Sequence, residues 1–151
     1  LYGRNMNKDR EKIFCRIKSD GFLTYSYISS KATVLTDNIG ENSFILEDNT
    51  IQPFTQIGDN IVMWSGNHIG HHSILGNNIS ITSHVVISGH CKIENNCFVG
   101  VNATLRDNIT MREGTFLAMS ASLTKSTDEW SVYLGVPAKK KDGQDSRDLQ
   151  L

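Results

Sequence analysis

Ile57-Gly58-Asp59-Asn60-Ile61-Val62-Met63-Trp64-Ser65-Gly66-Asn67-His68-Ile69-Gly70-His71-His72-Ser73-Ile74-Leu75 returns to an aliphatic or methionine side chain at every sixth residue: Ile57, Met63, Ile69, Leu75. Followed outward, the register holds without a miss over fifteen positions, back through Ile51 and Ile45 to Ile39 and forward to Leu123. Neither the 3.6-residue turn of an α-helix nor the two-residue pleat of a lone strand produces a six-residue beat. A parallel β-helix does, because each short strand forms one side of a coil and stacked coils share one core. The position four residues further on, Ser43 through Ala121, is mostly small or β-branched, as a narrow interior requires. Turn formers such as Gly40, Asp59-Asn60, Asn77-Asn78 and Asn95-Asn96 fill the slots between.

The 151 residues suit a single domain, and a net charge of −1 argues against a nucleic acid or a membrane surface held by bulk charge. No run reaches the length of a membrane span, and no signal-peptide pattern opens the chain. Cys91 and Cys97 fall on the inward register; with Cys15 they make an odd number, read as reduced thiols of a cytoplasmic protein. The chain opens at Leu1 rather than Met, which reads as a fragment or as a few vector residues ahead of Met6.

Taken in order, Asn7 to Ser19 is predicted to be a helix, with Ile13, Phe14 and Ile17 on one face and Gly21 to stop it. That stripe should pack on the solenoid or on a neighbouring subunit. Ile28 and Val34 lie six apart but one place off the main register, and mark a lead-in coil. The beat ends after Leu123, leaving an exit loop at Thr124–Trp130, a last strand at Val132–Val136 and a basic run at Lys139–Lys141. The predicted organisation is an N-terminal helix and lead-in over 1–27, a β-helix over 28–141, and a polar, mobile tail over 142–151.

Eighteen residues make one coil, so residues eighteen apart should stack about one inter-strand distance, ~4.8 Å, from each other. His71 then lies beneath Gly89 and His72 beneath His90, while His84 occupies another face. An imidazole takes a proton near neutral pH, and a glycine leaves its N–H open to a ligand. Together they are the parts an acyl transfer needs. The residues alone also permit a plainer reading, in which His71 decorates a turn and Gly89 allows one.

The run resembles the hexapeptide-repeat acyltransferases, which are left-handed β-helices. Asn67–Ser73, Ile87-Ser88-Gly89, Cys97–Ala103 and Gly135-Val136-Pro137-Ala138-Lys139 are similar to the bacterial sugar O- and N-acetyltransferases within them, a branch that includes sialic acid O-acetyltransferase-like proteins and nucleotide-aminosugar N-acetyltransferases. The resemblance covers about residues 12–141. It implies an all-β, single-stranded left-handed parallel β-helix that moves an acetyl group from acetyl-CoA to a sugar or nucleotide-sugar, with no metal expected. His71 matches the general base, His72 a position where relatives often carry an acid, and Gly89 the amide that meets the thioester carbonyl. Val101 and Met119 match backbone contacts to the pantetheine arm, and Ser80 stands where some relatives have a second histidine. Lys139, Lys140 and Arg112 are candidates for the CoA phosphates. A homotrimer with acetyl-CoA between subunits is implied, and the N-terminal helix reads as the remnant of a nucleotide-binding domain. Two other functions stay open: a non-catalytic trimeric β-helix module, and a metalloenzyme resembling the γ-carbonic anhydrases.

Overall fold

A computed structural model describes residues 5–149, so the opening Leu1 and the last two residues of the expected tail lie outside the described residues. A two-residue strand is stable only if its backbone is hydrogen-bonded on both sides. Here Val86–Ile87 pairs in parallel with His68–Ile69 below and with Thr104–Leu105 above, so one coil is eighteen residues. Repetition of this pairing gives the expected left-handed parallel β-helix, with sheets of eight, six and four strands. Strands starting at Phe44, Val62, Ser80, Phe98 and Phe116 stack in the first sheet. Those starting at Thr50, His68, Val86, Thr104 and Ser122 stack in the second, and those at Gln56, Ile74, Lys92 and Thr110 in the third.

The core follows the two inward registers. All fourteen positions from Ile45 to Leu123 are buried, as are the fourteen from Ser43 to Ala121, while Ile39 at the open end is half-buried. Polar inward residues satisfy the corner backbone: Asn49 Nδ2 donates to the carbonyls of Leu46 (2.8 Å) and Trp64 (2.9 Å). The coils turn at the third residue after each core aliphatic, where every residue from Asn42 to Ser120 has a positive φ. Asparagine tolerates that region and fills most of the corner between the third and first sheets. There Asn42 donates to Asn60 (3.0 Å) and Asn60 to Asn78 (2.7 Å), one rung per coil. The corner between the second and third sheets spends the same slots on Phe54, His72 and His90.

Both ends depart from the beat. Ile28 pairs with Ile45 and Val34 with Ile51, seventeen residues apart, which accounts for the one-place offset of the lead-in coil. At the top Leu117 pairs with Tyr133, sixteen apart. The last parallel strand is Ser131–Leu134, and the chain then reverses through Gly135–Ala138 into an antiparallel strand, Lys139–Asp145. The expected mobile tail therefore needs correction over 142–149. Residues 142–145 belong to that strand, a 3-10 turn follows at Ser146–Asp148, and the buried Ser146 hydroxyl donates to the Gly114 carbonyl (2.6 Å). The Arg147 guanidinium lies over the Trp130 ring at 5.3 Å, and its hydrogen bonds hold the Asp145 carboxyl down at about 2.

The N-terminal helix, α1 (Lys8–Ser19), forms where predicted, but none of its residues is buried and Ile13 keeps 44% of its surface exposed. Polar anchoring replaces the expected apolar docking on the solenoid. Asn7, fully buried, donates to the Cys97 carbonyl (3.1 Å) and accepts from the Ser80 hydroxyl (2.6 Å), while Arg10 donates to the Ile79 carbonyl (3.0 Å). Met6 is fully buried, so the fold includes the chain from there onward. Among the described residues no helix is long and apolar enough to cross a membrane.

The thiols test this packing. Burial pushes the Cys91 and Cys97 thiols up, whereas Cys15 is exposed on α1. Alkylation of the native protein should modify Cys15 rapidly and spare the other two until denaturant is added; mass spectrometry showing early labelling of Cys91 or Cys97 would contradict the register.

Candidate active site

His71 and His72 stand in the turn between the second and third sheets, and Gly89 and His90 occupy the same turn one coil on. The ladder fixes this stack, since the His90 N–H donates to the His71 carbonyl (2.9 Å). All three histidines are exposed, so the rings extend from a rigid corner into solvent. His71 Nδ1 and His72 Nδ1 are 3.0 Å apart. With the proton assigned to His71 Nδ1, that nitrogen donates to His72 and leaves the His71 Nε2 lone pair free. His72 thus puts a ring nitrogen, rather than a carboxylate, within hydrogen-bond reach of His71.

Gly89 lies where the His71 ring needs it. A methyl group on Gly89 would sit 2.9 Å from His71 Nε2 and 2.8 Å from Cε1, so only glycine lets the imidazole rest there. The Gly89 amide is open for a second reason. At some of the equivalent turn positions a side chain one coil away supplies an acceptor: Asp59 Oδ1 for Glu41 N (2.9 Å), Asn77 Oδ1 for Asp59 N (2.8 Å), Gln52 Oε1 for His71 N (2.9 Å). Eighteen residues after Gln52 stands Gly70, which has no side chain, and whose Cβ would in any case fall 2.5 Å from Gly89 N. Among the described residues no acceptor takes the Gly89 N–H. The His71 ring and an amide with no acceptor among the described residues therefore lie side by side at one corner.

Met119 repeats the device at the corner between the first and second sheets. Its N–H also has no acceptor among the described residues, and Gly100 beneath it leaves no room for a side chain. Val101 lies one coil below, with its carbonyl accepting from Ser120 N (2.7 Å). Trp64, Val101, Met119 and Val136 are exposed along this corner, an apolar path rising toward the hairpin that begins Lys139. Lys139 is exposed at that upper end. Two other phosphate candidates are engaged elsewhere, Lys140 with Asp128 (2.8 Å) and Arg112 with Glu94 (3.5 Å).

The structure does not bring all the expected residues together. His71, His72 and Gly89 share one corner, Val101 and Met119 another, on opposite edges of the second sheet. Ser80 belongs to neither. It lies in the first sheet, fully buried, with its hydroxyl given to Asn7 and approached by Arg10 Nη2 at 3.3 Å. Its place beside a thioester is thus replaced by a structural one, pinning the N-terminal segment. The sequence held a signal for this, since Ser80 is the polar member of an outward column that otherwise reads Phe44, Val62, Phe98, Phe116. Two further residues had gone unremarked: Phe54, 71% exposed with its ring 4.7 Å from that of His72, and Gln52.

Comparison with family models and with curated proteins returned no match. Solved structures match well. The acetyltransferase domain of PglB from Neisseria gonorrhoeae superposes with a TM-score of 0.88 at 22% identity, over 91% of this chain and 67% of that one. PerB from Caulobacter crescentus, solved with CoA and GDP-perosamine, gives 0.86 at 22% identity over 91% and 67%. WeeI from Acinetobacter baumannii gives 0.86 at 20% over 91% and 68%. The chain thus spans about two thirds of each, and at these identities the likeness establishes a shared fold: this is the β-helix on which those proteins are built.

Proposed function

We propose that the chain is an acetyl-CoA-dependent acetyltransferase acting on an amine or hydroxyl of a sugar or nucleotide-sugar, with His71 as general base. The observation that carries this is the pairing of the His71 Nε2 face with a Gly89 amide that takes no acceptor among the described residues. Structural similarity to a perosamine N-acetyltransferase crystallised with CoA and GDP-perosamine supports an amine on a nucleotide-linked sugar as the acceptor. The PglB domain was also solved with acetyl-CoA, which supports that donor.

The chemistry follows from the positions. His71 Nε2 takes the proton as the acceptor nitrogen or oxygen attacks the thioester carbonyl, while the His72 Nδ1 steadies the imidazolium by accepting from His71 Nδ1. The Gly89 N–H donates to the oxyanion as it forms. Collapse of the tetrahedral intermediate breaks the carbon–sulfur bond, and the proton on His71 Nε2 passes to the leaving thiolate. The pantetheine arm follows the Val101–Met119 corner, where the Met119 N–H is available, toward Lys139 and the phosphates.

Because these two corners lie on opposite edges of one sheet, a single chain does not enclose both the base and the arm. A homotrimer that apposes one corner with the partner subunit's Val101 closes the site and covers the exposed apolar path. Light scattering should therefore report about three times 16.8 kDa; a monomer at micromolar concentration would contradict this.

His71→Ala should leave folding intact, since the ring is exposed, yet slow acetyl transfer by about 10²–10⁴-fold. His72→Ala should cost less. Gly89→Ala should also fold, displacing the His71 ring, and should lower turnover without removing the base. Acetyl-CoA consumption with a panel of amino sugars and their nucleotide conjugates measures all three. Unchanged turnover in His71→Ala overturns the mechanism; a trimer that binds acetyl-CoA but never turns over leaves the scaffold reading.

A further inference from the structure

The corner that holds His71 carries more imidazole than the proposed reaction uses. His90 stacks on His72 with ring centroids 4.9 Å apart and meets His71 edge-on at 5.0 Å. One ring nitrogen from each of His71, His72 and His90 lies within 4.8 Å of the other two. We propose that these three histidines form a site for a divalent transition-metal ion, and that its occupation switches off the base; the second half rests on the role assigned to His71.

Tetrahedral coordination at 2.0–2.1 Å places ligand nitrogens roughly 3.3 Å apart. The facing Nδ1 atoms of His71 and His72, 3.0 Å apart, are already close to that separation. His90 must swing inward from its stack on His72, and its ring is exposed. The backbone is set in advance, because His72 and His90 occupy equivalent turn slots with φ of 59° and 58°, locked one coil apart by the ladder. An all-imidazole set suits Zn²⁺, Ni²⁺, Co²⁺ or Cu²⁺ and gives Mg²⁺ or Ca²⁺ none of the oxygen ligands they need. Three protein nitrogens leave a fourth position to water, so the ion is a reversible visitor, not a structural clip.

Occupation acts through the tautomer. Neutral His71 carries one ring proton, which in the tautomer assigned above lies on Nδ1 between the two histidines. A metal held by His71 Nδ1 requires that proton to sit on Nε2, the nitrogen that faces Gly89. Nε2 is then a donor and cannot take the acceptor's proton. No net proton change is needed, only a transfer from one ring nitrogen to the other.

Tag-free, chelator-treated chain titrated with Co²⁺ should develop the visible absorption of an imidazole-bound ion at one equivalent per chain. Zn²⁺ should displace it, and Mg²⁺ should not. His90→Asn should weaken Co²⁺ binding at least tenfold, whereas His84→Asn, at a different corner, should not. In turnover assays Zn²⁺ should inhibit the wild type and excess chelator restore it. His90→Asn, compared with its own metal-free rate, should need at least tenfold more Zn²⁺. Absence of the Co²⁺ band in the wild type, or an undiminished band in His90→Asn, overturns the site. A band lost in His90→Asn, in a protein with no transferase turnover, upholds the site and overturns only the acyl-transfer reading.

Discussion

Parallel hydrogen bonding between coils eighteen residues apart is the constraint on which everything else in this molecule depends. Two-residue strands have no stability of their own; each is held by the strand above and the strand below, about 4.8 Å away. Once that ladder is set, sequence position becomes spatial position. The core forms because two registers point inward along the whole stack. The candidate site forms because the same rule puts Gly89 over His71 and Gly70 under the Gly89 amide.

The ladder also distinguishes the corners. Where the third sheet meets the first, asparagines bond to each other rung by rung and accept from the turn amides of Asp59 and Asn77. Where the second meets the third, that closure stops. Gln52 caps His71 N, but its counterpart one coil on is Gly70, and among the described residues the amide beyond has no acceptor. Phe54, at φ 62°, accepts a backbone conformation that bulky residues avoid, and its ring joins those of His72 and His90 in a column. This corner gives three successive turn slots to stacked rings and returns to asparagine at Asn108.

Much of this was legible in the sequence, because a six-residue beat reports directly on what points inward. The core from Ile45 to Leu123, the off-register lead-in at Ile28 and Val34, and the stacking of His71 on Gly89 all follow from counting. What could not be counted was anything outside the beat. The burial of Ser80 comes from Asn7, 73 residues earlier in the chain, folding back across the first sheet. The strand that continues past Lys141 is polar along its length and is held by pairing with Ser131–Leu134 and by Ser146, none of which has a period. The separation of Val101 and Met119 from His71 was implicit in the same map, since twelve residues move the chain by two sheets.

The proposed reaction stands or falls on whether Gly89 offers its amide to the thioester carbonyl beside the His71 ring. Backbone amide spectra of deuterated, ¹⁵N-labelled protein, recorded with acetyl-CoA and with CoA itself, test it directly, because the two ligands differ only in the group that Gly89 should bind. The account predicts that both shift Met119 while acetyl-CoA alone moves the Gly89 N–H strongly downfield, with that shift reduced in Gly89's neighbour variant His71→Ala only if the ring helps to seat the carbonyl. Binding of acetyl-CoA that perturbs Met119 yet leaves Gly89 where CoA leaves it would contradict the account.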